Sequence, residues 1–201
     1  MNIVDRKRKT KFPCSGCALH INRCICEFIP QLNLRTRVSL IVHAKELKRT
    51  TNTGTLAIKS LVNSELKVRG LEKTPLDLST ILGVDYRPLL FYPSDDALEL
   101  TSELIQESPL PIQLIVPDGN WRQASKVHYR HPELKDVKRV MISKPNLETH
   151  QLRAEHTEHG MATLQAIALA LGIIEGELIE EKLMNLYQKK LEMTLLGRAG
   201  G

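Results

Sequence analysis

Aromatic side chains make up only 4% of this 201-residue chain: one Trp, four Tyr and three Phe. Each of them therefore carries more information than usual. Other absences exclude whole classes of protein. No apolar run approaches the ~18 residues of a membrane-spanning helix. The basic residues Arg6, Lys7, Arg8, Lys9 and Lys11 are not followed by the apolar stretch of a secretion signal, so a cytoplasmic protein is expected. Neither G-x-G-x-x-G nor G-x-x-x-x-G-K-[ST] occurs, which leaves dinucleotide binding of the Rossmann type and P-loop chemistry unsupported. There is no internal repeat and no low-complexity segment. No cysteine lies outside residues 14–26.

What is present fits one globular domain with a small appendage. Hydrophobic residues make up 42% and charged residues 25% of the chain. The formal charge is +5 and the pI about 9.0, a mild lean towards polyanions. Residues 1–11 read as a basic flexible tail, which is either solvated or an arm for phosphates.

From residue 36 the pattern alternates between strand and helix. Val38–Val42 is a short buried run. Leu56, Ile58, Leu61, Val62 and Leu66 have helical spacing after Asn52-Thr53-Gly54, with Gly70 as the stop. Leu89–Tyr92 reads as a strand ending at Pro93. A helix over 95–107 is expected behind Ser94. Gln113–Val116 is the next strand, then a helix from Trp121 to about His128, a strand at Lys138–Ile142, a helix over Ala162–Leu171 and a last helix over 175–194. Residues 197–201 read as a frayed tail. Strands alternating with helices predict an α/β domain with a largely parallel sheet and helices on both faces.

Cys14-x-x-Cys17 is followed by Cys24-x-Cys26. Two close pairs of thiols are what a tetrahedral structural zinc takes, so residues 12–30 are expected to form a four-cysteine zinc knuckle. Free thiols, disulfides and an iron–sulfur cluster are the alternatives. The Cys-x-Cys spacing does not match ferredoxin runs. His20 lies inside the loop as a spare ligand. Four thiolates fill the shell and point to a structural ion, because a catalytic zinc keeps one position open.

Three loops follow predicted strands: Tyr92-Pro93-Ser94, Pro117-Asp118-Gly119-Asn120-Trp121 and Ser143-Lys144-Pro145-Asn146. In open α/β sheets ligands bind beyond the carboxyl ends of strands. The second loop carries an acid and the only tryptophan. Asp118 offers a carboxylate for a proton or a ligand amine, or else it starts a turn. Two basic clusters flank these loops: His43, Lys45, Lys48 and Arg49, then Lys126, His128, Arg130 and His131. Either is a solvated face or a surface for RNA.

Taken in order, these segments resemble the DTW-domain family, whose members include tRNA-uridine aminocarboxypropyltransferases. The resemblance runs from about residue 13 to 172. It comprises the four cysteines, His43-x-x-Glu46, Asn52-Thr53-Gly54-x-Leu56-Ala57, Leu90-x-Tyr92-Pro93, Asp118-Gly119-x-Trp121-x-Gln123-Ala124, Leu152-Arg153 and Thr163-Leu164-x-Ala166-Ile167-Ala168. Asn120 stands where the Asp-x-Thr-Trp of the family name has threonine. Both residues cap helices, so the loop is expected to keep its geometry.

The resemblance implies a SPOUT-like catalytic domain over 31–196 with a C-terminal trefoil knot. It implies S-adenosylmethionine as donor and tRNA as partner, with transfer of the 3-amino-3-carboxypropyl group to N3 of a uridine. Asp118 is the candidate base, or the group that orients the methionine amine. Asn52, Thr53 and Gly54 would face the methionine carboxylate or RNA phosphate. Tyr92, Pro93, Val116 and Trp121 would wall the adenosine, Arg153 would bind the carboxylate, and Thr163 joins the set. A monomer is favoured over a dimer. Methyl transfer from the same donor and non-catalytic zinc-containing RNA binding are the competing readings.

Overall fold

The computed structural model describes residues 10–47, 49–71, 76–79, 81–143, 152 and 161–199. At its centre is a six-stranded sheet of β1 (Arg37–His43), β2 (Ser64–Arg69), β3 (Arg87–Phe91), β4 (Leu98–Glu99), β5 (Ile112–Asp118) and β6 (Lys138–Met141), in the order β2-β1-β5-β3-β6-β4. Every strand pair is parallel, so all the carboxyl ends lie on one side. Parallel strands are covered on both faces and read as near-continuous apolar runs. The burial of Val38, Leu40, Ile41 and Val42 in β1, and of Leu114, Ile115 and Val116 in β5, follows that rule. Pro117 has no N–H to give a ladder. It sits beyond the last β3–β5 pair, Leu90 with Ile115, where β5 is flanked on that side by no partner residue.

The pleat sends alternate side chains to two cores. Val38, Leu40, Val42, Leu89, Leu114, Val116 and Val140 face one side. There they meet α2 (Gly54–Ser60), α3 (Ser102–Gln106), α5 (Thr163–Glu175) and α6 (Glu177–Ala199). Ile41, Leu90, Tyr92 and Ile115 face the other side, against α4 (Trp121–Arg130) and Leu134. A one-turn helix, α1 (Ala44–Leu47), follows β1. Two 3-10 turns, Ile21–Arg23 and Cys26–Phe28, shape the cysteine-bearing segment, whose Cys17, Leu19 and Ile25 join the first core.

Four of the six strands, β1, β3, β5 and β6, overlap runs expected from the sequence, to within a residue or two at each end. Two expectations fail. The helix expected from Leu56 to Leu66 ends at Ser60, and Ser64–Arg69 is the edge strand β2. The two elements meet without a gap in apolar spacing, so one helical pattern covers both. Gly70, with φ of +82°, turns the chain after a strand rather than capping a helix. The helix expected over 95–107 is instead the two-residue strand β4 followed by the short α3. Its cap is Thr101, which accepts from the Leu104 N–H, and Ser94 opens only a turn. At the other end α6 continues to Ala199, through part of the expected frayed tail, and Arg198 donates to the Leu152 carbonyl. Most of the basic N-terminal tail and residues 144–160 apart from Leu152 lie outside the described residues.

The chain leaves β1 through α2 to β2 on one side, and leaves β5 through α4 to β6 on the other. Its two adjacent central strands therefore part in opposite directions, on opposite faces. That divergence opens a crevice at their carboxyl ends, the usual ligand position of such sheets.

Leu114 is fully buried in the middle of the central strand. Leu114→Ala is expected to lower unfolding free energy by about 2–5 kcal/mol. Urea denaturation followed by circular dichroism, at unchanged m-value, checks this.

Candidate active site and metal centre

The crevice between β1 and β5 is organised around the Asp118 carboxylate, the last residue of β5, at 9% exposure. One oxygen accepts from Asn52 Nδ2 at 2.7 Å. The other accepts from Thr163 Oγ1 at 2.6 Å. Asn52 is itself fixed, because its Oδ1 accepts from the Thr55 N–H at 3.1 Å and so caps the start of α2. That bond sets which end of the amide faces Asp118. Thr53, the residue before α2, accepts from the Leu164 N–H at 3.1 Å. It thereby satisfies an orphan donor in the first turn of α5, whose own N-cap Ala162 has no side-chain bond to offer. Gly54 completes the join. A Cβ there would stand 2.8 Å from Asp118 Oδ2 and 3.0 Å from Leu40 Cδ2.

Sequence reasoning named Asn52, Thr53, Gly54, Asp118 and Thr163, and the structure brings these five together from three segments. Val116 lies two residues before Asp118 on the same face and is packed in the core at 4% exposure. Tyr92 is buried on the opposite face with the α4 residues, its hydroxyl bonded to Ser125, and burial raises its phenol above the ordinary range. Pro93 is exposed. Trp121 opens α4, while its side chain lies outside the described residues, as does Arg153.

Asn120 caps α4. Its side chain accepts from the Gln123 N–H at 3.0 Å, and the Gln123 side chain accepts from the Asn120 N–H at 2.9 Å. This reciprocal capping box keeps the loop after Asp118 in place.

The four cysteines form the second centre. Their Sγ atoms all lie within 4.8 Å of one another. Cys14 is 3.4 Å from Cys24 and 3.6 Å from Cys26, and Cys17 is 4.0 Å from Cys24. A disulfide needs about 2.05 Å. Thiolates 2.3 Å from a tetrahedral ion stand about 3.8 Å apart, so the spacing suits a metal ion. Backbone N–H groups of Gly16 and Cys26 point at the sulfurs of Cys14 and Cys24. In the metal-free thiols, N–H groups of Cys17 and then Gly16 lower Cys14 to about 6, whereas burial drives Cys26 up to about 12. Gly16 is obligatory, since a Cβ would fall 2.3 Å from Cys26 Sγ. His20 is no ligand here, because its Nδ1 accepts from the Asn22 N–H.

Lys190 escaped the sequence reading. It is fully buried on α6 and donates to the Cys17 carbonyl at 2.6 Å. Burial lowers its ammonium to about 8, with Cys17, Cys14 and Cys26 opposing that shift. Lys59 also donates, to the carbonyls of Ser15 and Gly16. The signal was available: Leu183, Leu186, Tyr187, Lys190 and Leu191 lie on one helical stripe, and a lysine there interrupts an apolar face.

The DTW domain profile matches residues 11–195. Among curated proteins, tRNA-uridine aminocarboxypropyltransferase 2 of Macaca fascicularis is 29% identical over 188 residues, covering 90% of this chain and 62% of the relative. The protein of that name in Mus musculus is 28% identical, covering 87% and 61%. tRNA-uridine aminocarboxypropyltransferase A of Arabidopsis thaliana is 25% identical, covering 88% and 78%. The chain thus spans about three fifths of the length of the two mammalian relatives. No solved structure matches.

Two outcomes are expected from these contacts. Gly54→Ala pushes α2 away from Asp118 and costs about 1–3 kcal/mol in urea denaturation. Lys190→Met leaves the Cys17 carbonyl without its donor and lowers the stability of the metal-loaded protein by about 1–3 kcal/mol. Coincident denaturation curves for parent and variant would refute the second.

Proposed function

We propose, from the premise that this chain belongs to the DTW-domain family, that it transfers the 3-amino-3-carboxypropyl group of S-adenosylmethionine to N3 of a uridine in tRNA. The names of its relatives support tRNA modification by aminocarboxypropyl transfer. The observation that carries the reading is the doubly anchored Asp118 carboxylate at the divergence of β1 and β5, built from residues inside the matched span.

The donor set suits the amino-acid end of S-adenosylmethionine. Asp118 is an anion for the ammonium. Asn52 and Thr163 give their hydrogen bonds to it, and such bonds favour the ionised form. Asp118 therefore serves first as the group that orients the ammonium. Asn52, Thr53 and Gly54 hold the wall beside it. When bound, the sulfonium supplies an activated γ-carbon and a leaving group, methylthioadenosine. Selecting the γ-carbon over the methyl group is a matter of alignment, which a fixed counter-charge at the amine provides. The uridine must shed its N3 proton as the new bond forms.

The four-cysteine centre would hold zinc, whose closed thiolate shell stabilises the N-terminal knuckle. Residues 31–196 would form the SPOUT-like catalytic domain. A C-terminal trefoil knot would involve the chain between β6 and α5, most of which lies outside the described residues. A cytoplasmic monomer acting on tRNA completes the reading. Among the described residues no helix is long and apolar enough to cross a membrane.

Asp118→Asn and Asp118→Ala are expected to weaken S-adenosylmethionine binding at least ~10-fold and to lower transfer by about 10²–10⁴-fold, with metal content kept. Calorimetry measures the first effect and mass spectrometry of tRNA nucleosides the second. Full activity in Asp118→Ala would sink the assignment. Unchanged affinity with lost turnover would make Asp118 a base instead. Release of S-adenosylhomocysteine in place of methylthioadenosine would identify methyl transfer.

A further inference from the structure

A cavity of about 360 Å³ lies between the carboxyl ends of β1 and β2 and the helix α4. Five basic side chains line it: His43, Arg69, Lys126, Arg130 and His131. Among the described residues, no carboxylate lines it. Gln123, Lys126 and Arg130 fall at i, i+3 and i+7 of α4, which puts them on one stripe of the helix facing the cavity.

Several contacts hold this cationic lining in place. Arg69 Nη1 donates to the Gln123 carbonyl at 3.0 Å, which fixes one edge of the guanidinium. Gln123 is the residue whose side chain closes the capping box after Asp118, so the cavity and the Asp118 loop share a support. His43 Nδ1 accepts from the Lys45 N–H at 3.2 Å. In its neutral form the ring therefore carries its proton on Nε2, as a donor. Gly70 makes room for that ring. A Cβ at this position would lie 2.8 Å from His43 Nε2, and the φ of +82° is itself a glycine conformation.

The lining groups repel one another. Burial, and then Arg130, lower Arg69. Burial lowers His43, followed by Arg69 and Lys45, with Glu46 opposing and Lys126 adding to the effect. Burial lowers His131, with Glu133 opposing and Arg69 adding. Glu46 is buried and paired with Arg49 Nε at 3.2 Å, so its charge is already engaged. A bound anion relieves this repulsion and meets no carboxylate among the described lining residues.

We propose that this cavity is a phosphodiester pocket, which seats a backbone phosphate of the RNA substrate beside the Asp118 loop. The proposal rests on the tRNA reading above. Three full cations and two imidazoles exceed what a single carboxylate of S-adenosylmethionine needs. The pocket is also built on α4, on the face of the sheet opposite the one to which Asp118, Asn52 and Thr163 belong. Phosphate contacts of this kind position an RNA and make its affinity salt-dependent, without reading sequence.

The test compares the parent protein with Lys126→Ala/Arg130→Ala. Binding of unmodified tRNA is followed by fluorescence anisotropy across a salt series, and S-adenosylmethionine binding by calorimetry. The expected result is ~10-fold weaker tRNA binding near 0.15 M salt. The slope of log K against log salt should shrink by about two, one for each lost phosphate contact. Affinity for S-adenosylmethionine should stay as in the parent. Unchanged tRNA affinity and slope overturn the proposal. So does a loss of S-adenosylmethionine affinity with tRNA binding intact, which would assign the pocket to the donor's carboxylate. Arg130 is exposed, so Arg130→Gln alone gives a folded variant in which the slope should shrink by about one. If the parent binds tRNA and the variant does not, yet the parent forms no aminocarboxypropyl-uridine, the reaction is wrong and the pocket stands. If the parent forms that product and the variant binds tRNA equally well, the pocket is wrong and the reaction stands.

Discussion

The pair of hydrogen bonds into the Asp118 carboxylate is the constraint around which the crevice is organised. Asn52 brings the start of α2 to the end of β5, and Thr163 brings the start of α5 to the same point. Three stretches of chain far apart in sequence thus converge on two oxygen atoms. Thr53 reinforces the junction by capping the helix that Thr163 begins. The carboxylate is nearly buried, so losing either donor would leave a polar group facing a gap with little water to replace it. Structural and chemical demands coincide here. The groups proposed to meet a charged ligand are the groups that join the elements.

The sheet explains why such a junction forms at that point. Parallel strands place every carboxyl end on one side, and the opposite departures of α2 and α4 leave the space between β1 and β5 open. The same arrangement brings the basic stripe of α4 over the ends of β1 and β2 on the other face. Gln123 links the two regions through its side chain on one side and its carbonyl on the other.

Much of this was legible in the sequence, for identifiable reasons. Runs such as Val38–Val42 and Gln113–Val116 have no reading other than buried strand once their length and flanks are considered. Asp118 and Asn52-Thr53-Gly54 stood out because polar and glycine residues adjoin the ends of such runs. The strand β2 did not, because all six of its residues are only half-buried and Leu66 continues the spacing of α2. β4 is too short to show a period, and α3 is only a turn and a half. Tyr92 was placed at the crevice from its position at a strand end, but side-chain alternation turns it to the opposite face. Arg69 could not be recognised while its strand was read as helix. Lys190 was visible only as a misfit in an apolar stripe, a signal that needs the partner carbonyl to make sense.

That lysine also has a consequence for how the chain assembles. Its bond to Cys17 spans 173 positions. The cysteine knuckle emerges from the ribosome before the whole sheet and before α6, the helix that seats it. Local closure of the knuckle around an ion needs only thirteen consecutive residues, from Cys14 to Cys26. Its docking must wait until α6 has been made. Contacts this distant are costly to form early, because a long loop must be closed before they repay it. The order of events is therefore set by topology: the knuckle is made well before the helix on which it comes to rest.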